Sequence, residues 1–248
     1  MKPGFIIPVY RHGKSACSIA EHLASSRLPV ILVDDGNDEE TRLLLSECAE
    51  KTQAVVLIRL EKNSGKGAAA IKGFEKADEL GLTHVLLIDA DGQHDISMTD
   101  FFLKEAFKYP DKIICGYPVF DETAPKSRVK GRKISNLWAA IVTLSLEFKD
   151  VLCGFRVYPV RQTLRVTKYP FLDMRMGFDT EILIRLYWDK VYPEFYPVKV
   201  RYYKDGISNF RVVRDNIRIS FMFSRLFICM LFLSPILLIR KIKRGTLK

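Results

Sequence analysis

The first 116 residues alternate two textures. Apolar runs of six or seven residues occur at 4–10, 29–34, 54–60, 84–89 and 111–116, and stretches of mixed polarity lie between them at about 13–26, 38–51, 66–80 and 97–108. The short runs have the length of buried strands, and the mixed stretches have helical length and spacing. Helix starts are marked by polar residues that can accept hydrogen bonds from free amides: Asn37-Asp38 before EETRLLLSECAEK, and Ser97 before MTDFFLKEAFK. Strands that alternate with helices predict an α/β fold with a mostly parallel sheet covered on both faces. Ligands of such sheets gather beyond the carboxyl ends of the strands. Here those ends carry Tyr10, Asp34-Asp35, the segment 63–67, and Asp89-x-Asp91, all on one rim.

The pattern breaks after residue 116. YPVFDETAPKSRVKGRK, 117–133, has two prolines and a basic run and predicts a long loop, of the kind that often serves as a lid. A helix is expected at about 133–147, a short strand at CGFRVYP, a helix at 177–190, and a strand at FYPVKVRYY. The last apolar run, 226–239, has 14 residues, is bracketed by Arg225 and RKIKR, and holds Pro235 near its end. A membrane-spanning helix needs about 20 apolar residues. The expectation is therefore a main domain over 1–210 and a basic, amphipathic helical segment over 211–248 that lies on a membrane surface, with a re-entrant hairpin, a helix covered by protein and a true span as rivals.

Charge sharpens this picture. The formal net charge is +10, yet the first 198 residues hold 27 basic and 27 acidic side chains, so the excess comes entirely from Lys199 onward. Basic residues interleaved with aromatics and an apolar run suit an anionic membrane surface and not nucleic acid. The five cysteines form no C-x-x-C pair, which argues against a disulfide framework or a cysteine zinc site and for a reducing compartment. The apolar run in MKPGFIIPVYRHG is too short for a signal peptide. Peripheral attachment to the cytoplasmic side of a membrane is the expected location.

The chemistry concentrates in VLLIDADGQHD, 85–95. Asp89 and Asp91, one residue apart at a strand end, can share one hard cation, Mg²⁺ or Mn²⁺, which also binds substrate phosphates. Gln93 offers a further oxygen and His94 a nitrogen; strand-end acids can also be plain turn formers. In LVDDGN, 32–37, one acid suits a sugar hydroxyl or base N–H and the other a turn or helix cap. NSGKGAAAIKG, 63–73, opens a helix with two glycines and Lys66, a start that can cradle phosphate. It is no Walker loop, because Gly67 stands where Ser or Thr is needed. Gly65-x-Gly67-x-x-Ala70 meets the weak dinucleotide pattern, but it follows the third strand after a four-residue gap, so an NAD-dependent oxidoreductase is a poor alternative. A non-catalytic membrane-surface binding module is the other.

Together IIPVY, LVDDGN, NSGKGAAAIKGF, LLIDADGQH, DVLCGFRVYP and GFDTEILIRL resemble, in order, the family 2 glycosyltransferases of the GT-A fold, over about residues 4–210. The subgroup of polyprenyl-phosphate sugar transferases, with dolichol-phosphate mannose synthase as example, is the most similar. The resemblance implies an inverting enzyme that moves a sugar from a nucleotide-sugar donor to a lipid-linked or membrane-associated acceptor. It implies that Pro8 and Tyr10 line the nucleobase pocket, that Asp35 meets base or ribose, that Lys66 lies by the donor, and that Asp89, Asp91 and Gln93 match the metal and diphosphate motif. Asp179 stands where relatives place a catalytic acid, with Glu181 as its competitor and helix capping as the plain alternative. Acceptor contacts are expected from Arg132 and Ser135, in GRKISN, and from Arg156, which an ion pair would explain equally well. In YKDGISNF, Gly206 and Ser208 match the subgroup's closing motif, while Tyr203 and Asn209 depart from it. That departure keeps both a hydroxyl and a phosphate acceptor open.

Overall fold

The computed structural model describes residues 1–120, 126–200 and 211–245. Seven strands form one sheet in the order β3-β2-β1-β4-β6-β5-β7. They are β1 (Pro3–Val9), β2 (Val30–Asp34), β3 (Val55–Arg59), β4 (His84–Leu87), β5 (Ile113–Phe120), β6 (Arg156–Pro159) and β7 (Pro193–Val200). All neighbours are parallel except at β6, which runs antiparallel to both β4 and β5. The expected mostly parallel sheet is thus observed.

Alternation along the strands decides which core each side chain enters. Phe5, Ile7, Val9, Leu32 and Leu86 enter one core with α1 (Gly13–Ala24), α2 (Glu39–Lys51) and α4 (Thr99–Lys108). Ile6, Ile31, Val33, Val85 and Leu87 enter the other, with α3 (Lys66–Glu79), α5 (Lys126–Thr143), α6 (Val160–Thr167), α7 (Phe178–Trp188) and α8 (Val212–Lys243). The result is three layers, with both sheet faces covered. The N-cap of α2 is Asp38, whose carboxylate accepts from the Thr41 amide at 2.9 Å.

Three differences from the sequence expectation stand out. The long loop at 117–133 is mostly regular: β5 runs to Phe120 and α5 begins at Lys126, with 121–125 outside the described residues. Helix α6 was not anticipated. The third concerns the tail. The apolar run belongs to one 32-residue helix, about 48 Å long at 1.5 Å per residue. By length and composition alone it is long enough to cross a membrane, so the shortness of the apolar run excludes nothing. Pro235 does not end the helix. It removes the amide that would bond to the carbonyl of Leu231, and the Ser234 hydroxyl donates to that carbonyl instead, at 2.9 Å.

Helix α8 is also tied to the body along most of its length. Met222, Phe223, Leu226, Met230 and Leu237 are buried in the same core as α7. Trp138 of α5 stacks on Phe223 with ring centres 5.9 Å apart. Near its far end, Arg240 donates to the Trp188 carbonyl at 2.5 Å and Lys241 to the Leu144 carbonyl at 3.0 Å.

Candidate active site

The parallel order β3-β2-β1-β4 brings four strand ends to one rim, as the sequence predicted. Asp34 ends β2 and Asp35 follows it, Tyr10 follows β1, and Asp89 and Asp91 follow β4. Pro8, half-buried, sits within β1 beside Val33. The turn after β1 is locked to the turn after β2: Asn37 accepts from the Arg11 amide at 2.6 Å and donates to the Val9 carbonyl at 2.8 Å. The Arg11 guanidinium lies 5.1 Å from the Tyr10 ring centre.

At the centre is a lysine between two acids. Lys66, the first residue of α3, places its ammonium 2.5 Å from Asp89 Oδ1 and 2.6 Å from Asp179 Oδ2. Burial pulls the Lys66 pKa down, but the two carboxylates outweigh it and hold it above its ordinary value, so the group stays charged. Burial likewise pushes Asp89 up, and Lys66, with His94 and Arg156 behind it, holds the net value below the usual range. Asp179, 8% exposed, has its second oxygen, Oδ1, buried with no hydrogen-bond partner among the described residues. Arg156 does not reach the rim. It is fully buried and donates to the Asp179 carbonyl at 2.5 Å and to the Tyr158 hydroxyl at 3.3 Å, so it supports the start of α7 from behind and does not face an acceptor.

Several expectations are corrected. Asp35 is only 2% exposed, and its carboxylate turns inward to the segment before α3. It accepts from the Ser64 amide at 2.7 Å, the Gly65 amide at 2.9 Å and Asn63 Nδ2 at 3.0 Å. Burial raises its pKa, and these amides only partly pull it back. It ties the turn after β2 to the segment before α3. The amides at the start of α3 are not an open phosphate cradle either: the Gly67 amide donates to the Met174 carbonyl at 2.9 Å. Gly65, at φ +102, allows that close approach, since a Cβ there would sit 2.3 Å from the same carbonyl. Glu181 is no free base. It is fully buried and accepts from the Asp173 amide at 2.9 Å, from Arg185 and, at 2.7 Å on both oxygens, from Arg225.

Asp91 accepts from the Gln93 amide at 3.0 Å and remains half-exposed on the rim. His94 has Nε2 3.6 Å from Cys153 Sγ and its ring 5.6 Å from that of Phe155, and its Nδ1 is buried with no hydrogen-bond partner among the described residues, so Gln93 and His94 both stay candidates beside Asp91. Among the described residues no group of three or more His, Cys, Asp and Glu could hold a metal ion alone. The set present, Asp91 with Asp89 already engaged by Lys66, suits a cation that keeps its waters and is completed by substrate phosphates. On α5, Arg132 pairs with Asp150 at 2.7 and 2.8 Å, and Ser135 is buried. The motif YKDGISNF lies outside the described residues.

Sequence reasoning missed two contributors. A Cβ on Gly154 would stand 2.4 Å from Asp89 Oδ2 and 2.7 Å from Lys66 Nζ, so only glycine leaves room for the pair. Arg175 reaches back to Asn63, at 2.8 Å to its side chain and 3.3 Å to its carbonyl. The glycine before FRVYP was a usable signal; the arginine contact spans 112 residues and left none.

The site thus holds a lysine between a strand-end acid, Asp89, and a helix-start acid, Asp179, with a second strand-end acid, Asp91, beside them on a three-layer α/β sheet. A model of the family described as glycosyl transferase family 2 matches residues 5–165, and the chain belongs to that family. It is 31% identical over 222 residues to an uncharacterized protein of Methanocaldococcus jannaschii, covering 82% of this chain and 90% of that one. It is 25% identical over 213 residues to UDP-N-acetylglucosamine–dolichyl-phosphate N-acetylglucosaminyltransferase of Methanococcus voltae, covering 79% and 84%. The fold is also that of glucosyl-3-phosphoglycerate synthase from Mycobacterium tuberculosis, crystallised with Mn²⁺, UDP and product. The TM-score is 0.63 at 16% identity, over 94% of this chain and 79% of that one. The chain is a glycosyltransferase of the GT-A fold.

Proposed function

We propose that this enzyme transfers a sugar, with inversion, from a nucleotide-sugar donor to a polyprenyl phosphate at the cytoplasmic face of a membrane. The observation that carries the choice of acceptor is the Lys66 bridge. A carboxylate oxygen 2.6 Å from an ammonium is held by it and is not free to reach an acceptor hydroxyl. A phosphate nucleophile is already anionic and needs no base. The name of the Methanococcus relative, a dolichyl-phosphate transferase, supports the same acceptor.

In this reading Asp91, with Gln93 beside it, holds a divalent cation together with the donor diphosphate. When bound, Mg²⁺ or Mn²⁺ supplies charge neutralisation to the leaving group. Pro8 and Tyr10 border the base, Asp35 positions the loop at 63–65, and Lys66 stands ready to turn from Asp89 and Asp179 toward the diphosphate. The acceptor phosphate oxygen bonds to the anomeric carbon from the face opposite the departing oxygen. The bond between the anomeric carbon and the donor's diphosphate oxygen breaks as this one forms, and its electron pair leaves with the nucleoside diphosphate. Arg132 and Ser135 border the acceptor side, Arg132 through its hold on Asp150.

One observation favours a hydroxyl acceptor: Asp179 Oδ1 is buried without a partner and could take a proton. Assay with UDP-N-acetylglucosamine or UDP-glucose, Mn²⁺, and either dolichyl phosphate or the matching free alcohol separates the two. Organic-soluble sugar formed only with the phosphate, with nucleoside diphosphate released in equal amount, supports the proposal; product formed only with the alcohol overturns it.

The membrane reading rests on α8. Among its exposed residues are Phe221, Ile228, Phe232, Ile239 and Ile242, an apolar stripe opposite the buried one. A helix whose basic far end is bonded to Trp188 and Leu144 cannot cross a bilayer while those bonds stand, so we read it as lying in the interface plane. In that reading the segment 211–248 is a membrane-facing layer on the domain of 1–210.

A further inference from the structure

The loop joining α6 to α7 faces α8 across a groove of about 440 Å³, lined by Phe171, Met174, Arg175, Arg218, Phe221 and Arg225 among others. Three features set it apart from an ordinary surface cleft. Phe171 holds a left-handed backbone, φ +63, with its side chain 76% exposed. A bulky side chain rarely takes that conformation, and here no burial rewards it. Phe221, across the groove on α8, is 73% exposed. Between them Arg218 has no hydrogen-bond or ion-pair partner among the described residues, and the Arg175 guanidinium donates to Asn63 while its charge also acts on Asp35. Arg225 shares Glu181 with Arg185, and the one carboxylate in the lining, Asp173, accepts from the Arg175 amide at 2.6 Å. The groove is therefore cationic with two aromatic lips.

We propose that this groove is a docking site for anionic phospholipid headgroups of a bilayer: a headgroup phosphate sits on Arg218 and Arg175 while Phe171 and Phe221 enter the acyl boundary on either side. Charge complementarity argues for the phosphate, and continuity with the outward apolar stripe of α8 argues for the bilayer. Arginine suits phosphate through its fork of donors, and exposed aromatics on a basic surface are the usual anchors of interfacial elements. The site extends the membrane-facing surface beyond α8 onto a loop that also touches the sugar-donor rim, since the Met174 carbonyl accepts from Gly67 and Arg175 holds Asn63. It adds to the reading of α8 and does not depend on which sugar or acceptor the enzyme uses.

The test uses the full chain carrying Phe171→Trp, with the unsubstituted chain as baseline for its two native tryptophans. Vesicles of phosphatidylcholine, alone or mixed with phosphatidylglycerol, are prepared with and without bromine on the acyl chains. Co-flotation reports attachment by any route, and the added tryptophan reports the loop. The expected result is a blue shift and bromine quenching on mixed vesicles. Arg218→Gln should weaken binding to mixed vesicles about fivefold, the equivalent of about 1 kcal/mol for one basic residue at an anionic surface, and leave phosphatidylcholine binding unchanged. A floating protein whose added tryptophan stays unquenched overturns the proposal while leaving the reading of α8 intact. Displacement of the signal by soluble glycerol phosphate would show a small-molecule site, and a blue shift without vesicles that grows with protein concentration would show a contact between copies. Either result overturns it too.

Discussion

Asp179 and Glu181 stand two residues apart near the start of α7, and both are almost out of water. At 100° per residue they face opposite sides of the helix. Glu181 is saturated: two arginines and the Asp173 amide meet its two oxygens. Asp179 is left incomplete, with Lys66 on one oxygen and, among the described residues, nothing on the other. Buried acids that only hold a fold are fully paired, because an unmet acceptor costs about 1–3 kcal/mol. A buried acid left half-met beside a second, strand-end acid has the character of a working site.

The largest expected effect breaks the saturated side. Glu181→Ala strands Arg185, which is almost buried, while Arg225 is about one-third exposed and can rehydrate. Loss of one partner of a buried pair costs about 3–5 kcal/mol, or roughly 10 °C in melting temperature for a chain of this size. Calorimetry checks this. Turnover per folded molecule should change little, and a loss matching that of the rim variants would make Glu181 part of the chemistry.

On the rim, Asp91→Asn should leave the melting temperature nearly unchanged and lower turnover by about 10²–10³, a loss of charge stabilisation at the leaving group of about 2.7–4 kcal/mol. Titration calorimetry should show that Mn²⁺ no longer strengthens binding of the nucleoside diphosphate. Gly154→Ala strikes the other acid without touching a charge. The new methyl group falls where Asp89 and Lys66 meet. Displacement of the pair by about 1 Å should cost about 10² in turnover, with both groups still present. Wild-type turnover in this variant would show that the tight Asp89–Lys66 geometry has no part in catalysis.

The same contrast explains what the sequence could and could not reveal. Asp89, Asp91 and Lys66 were legible because each sits where a local pattern ends, at a strand terminus or a helix start. Asp179 was legible through resemblance. The direction in which a strand-end acid turns is not a local property, so the bonds of Asp35 to the amides of 64 and 65 were not foreseen. The saturation of Glu181 depends on Arg225, 44 residues away, and no spacing rule announces it. Helix α8 was underestimated because only its apolar stretch was counted. Residues 212–225 continue the same helix with arginines on its open side, and the Ser234 hydroxyl makes Pro235 tolerable. Helix α6 escaped notice because eight residues with two β-branched valines carry little helical signal.

The smallest expected effect decides between the two acceptors. If the acceptor is a phosphate, Asp179 serves to hold Lys66, and Asp179→Asn keeps a side chain of the same shape that can still accept one hydrogen bond from the ammonium. The charge of Lys66 then faces Asp89 alone, and its attraction to the donor diphosphate changes modestly. Turnover should fall about tenfold, the equivalent of about 1.4 kcal/mol, with donor KM altered in the same experiment because in the proposed reading Lys66 turns toward the donor. If Asp179 were a general base, the loss should reach about 10²–10⁴, with donor binding unchanged and the acid limb of the pH–rate profile removed. Steady-state rates for the variant across pH, at saturating acceptor, distinguish these outcomes. A loss of more than 10² together with a lost acid limb would return the unpartnered oxygen of Asp179 to the role of proton acceptor and the enzyme to a hydroxyl substrate.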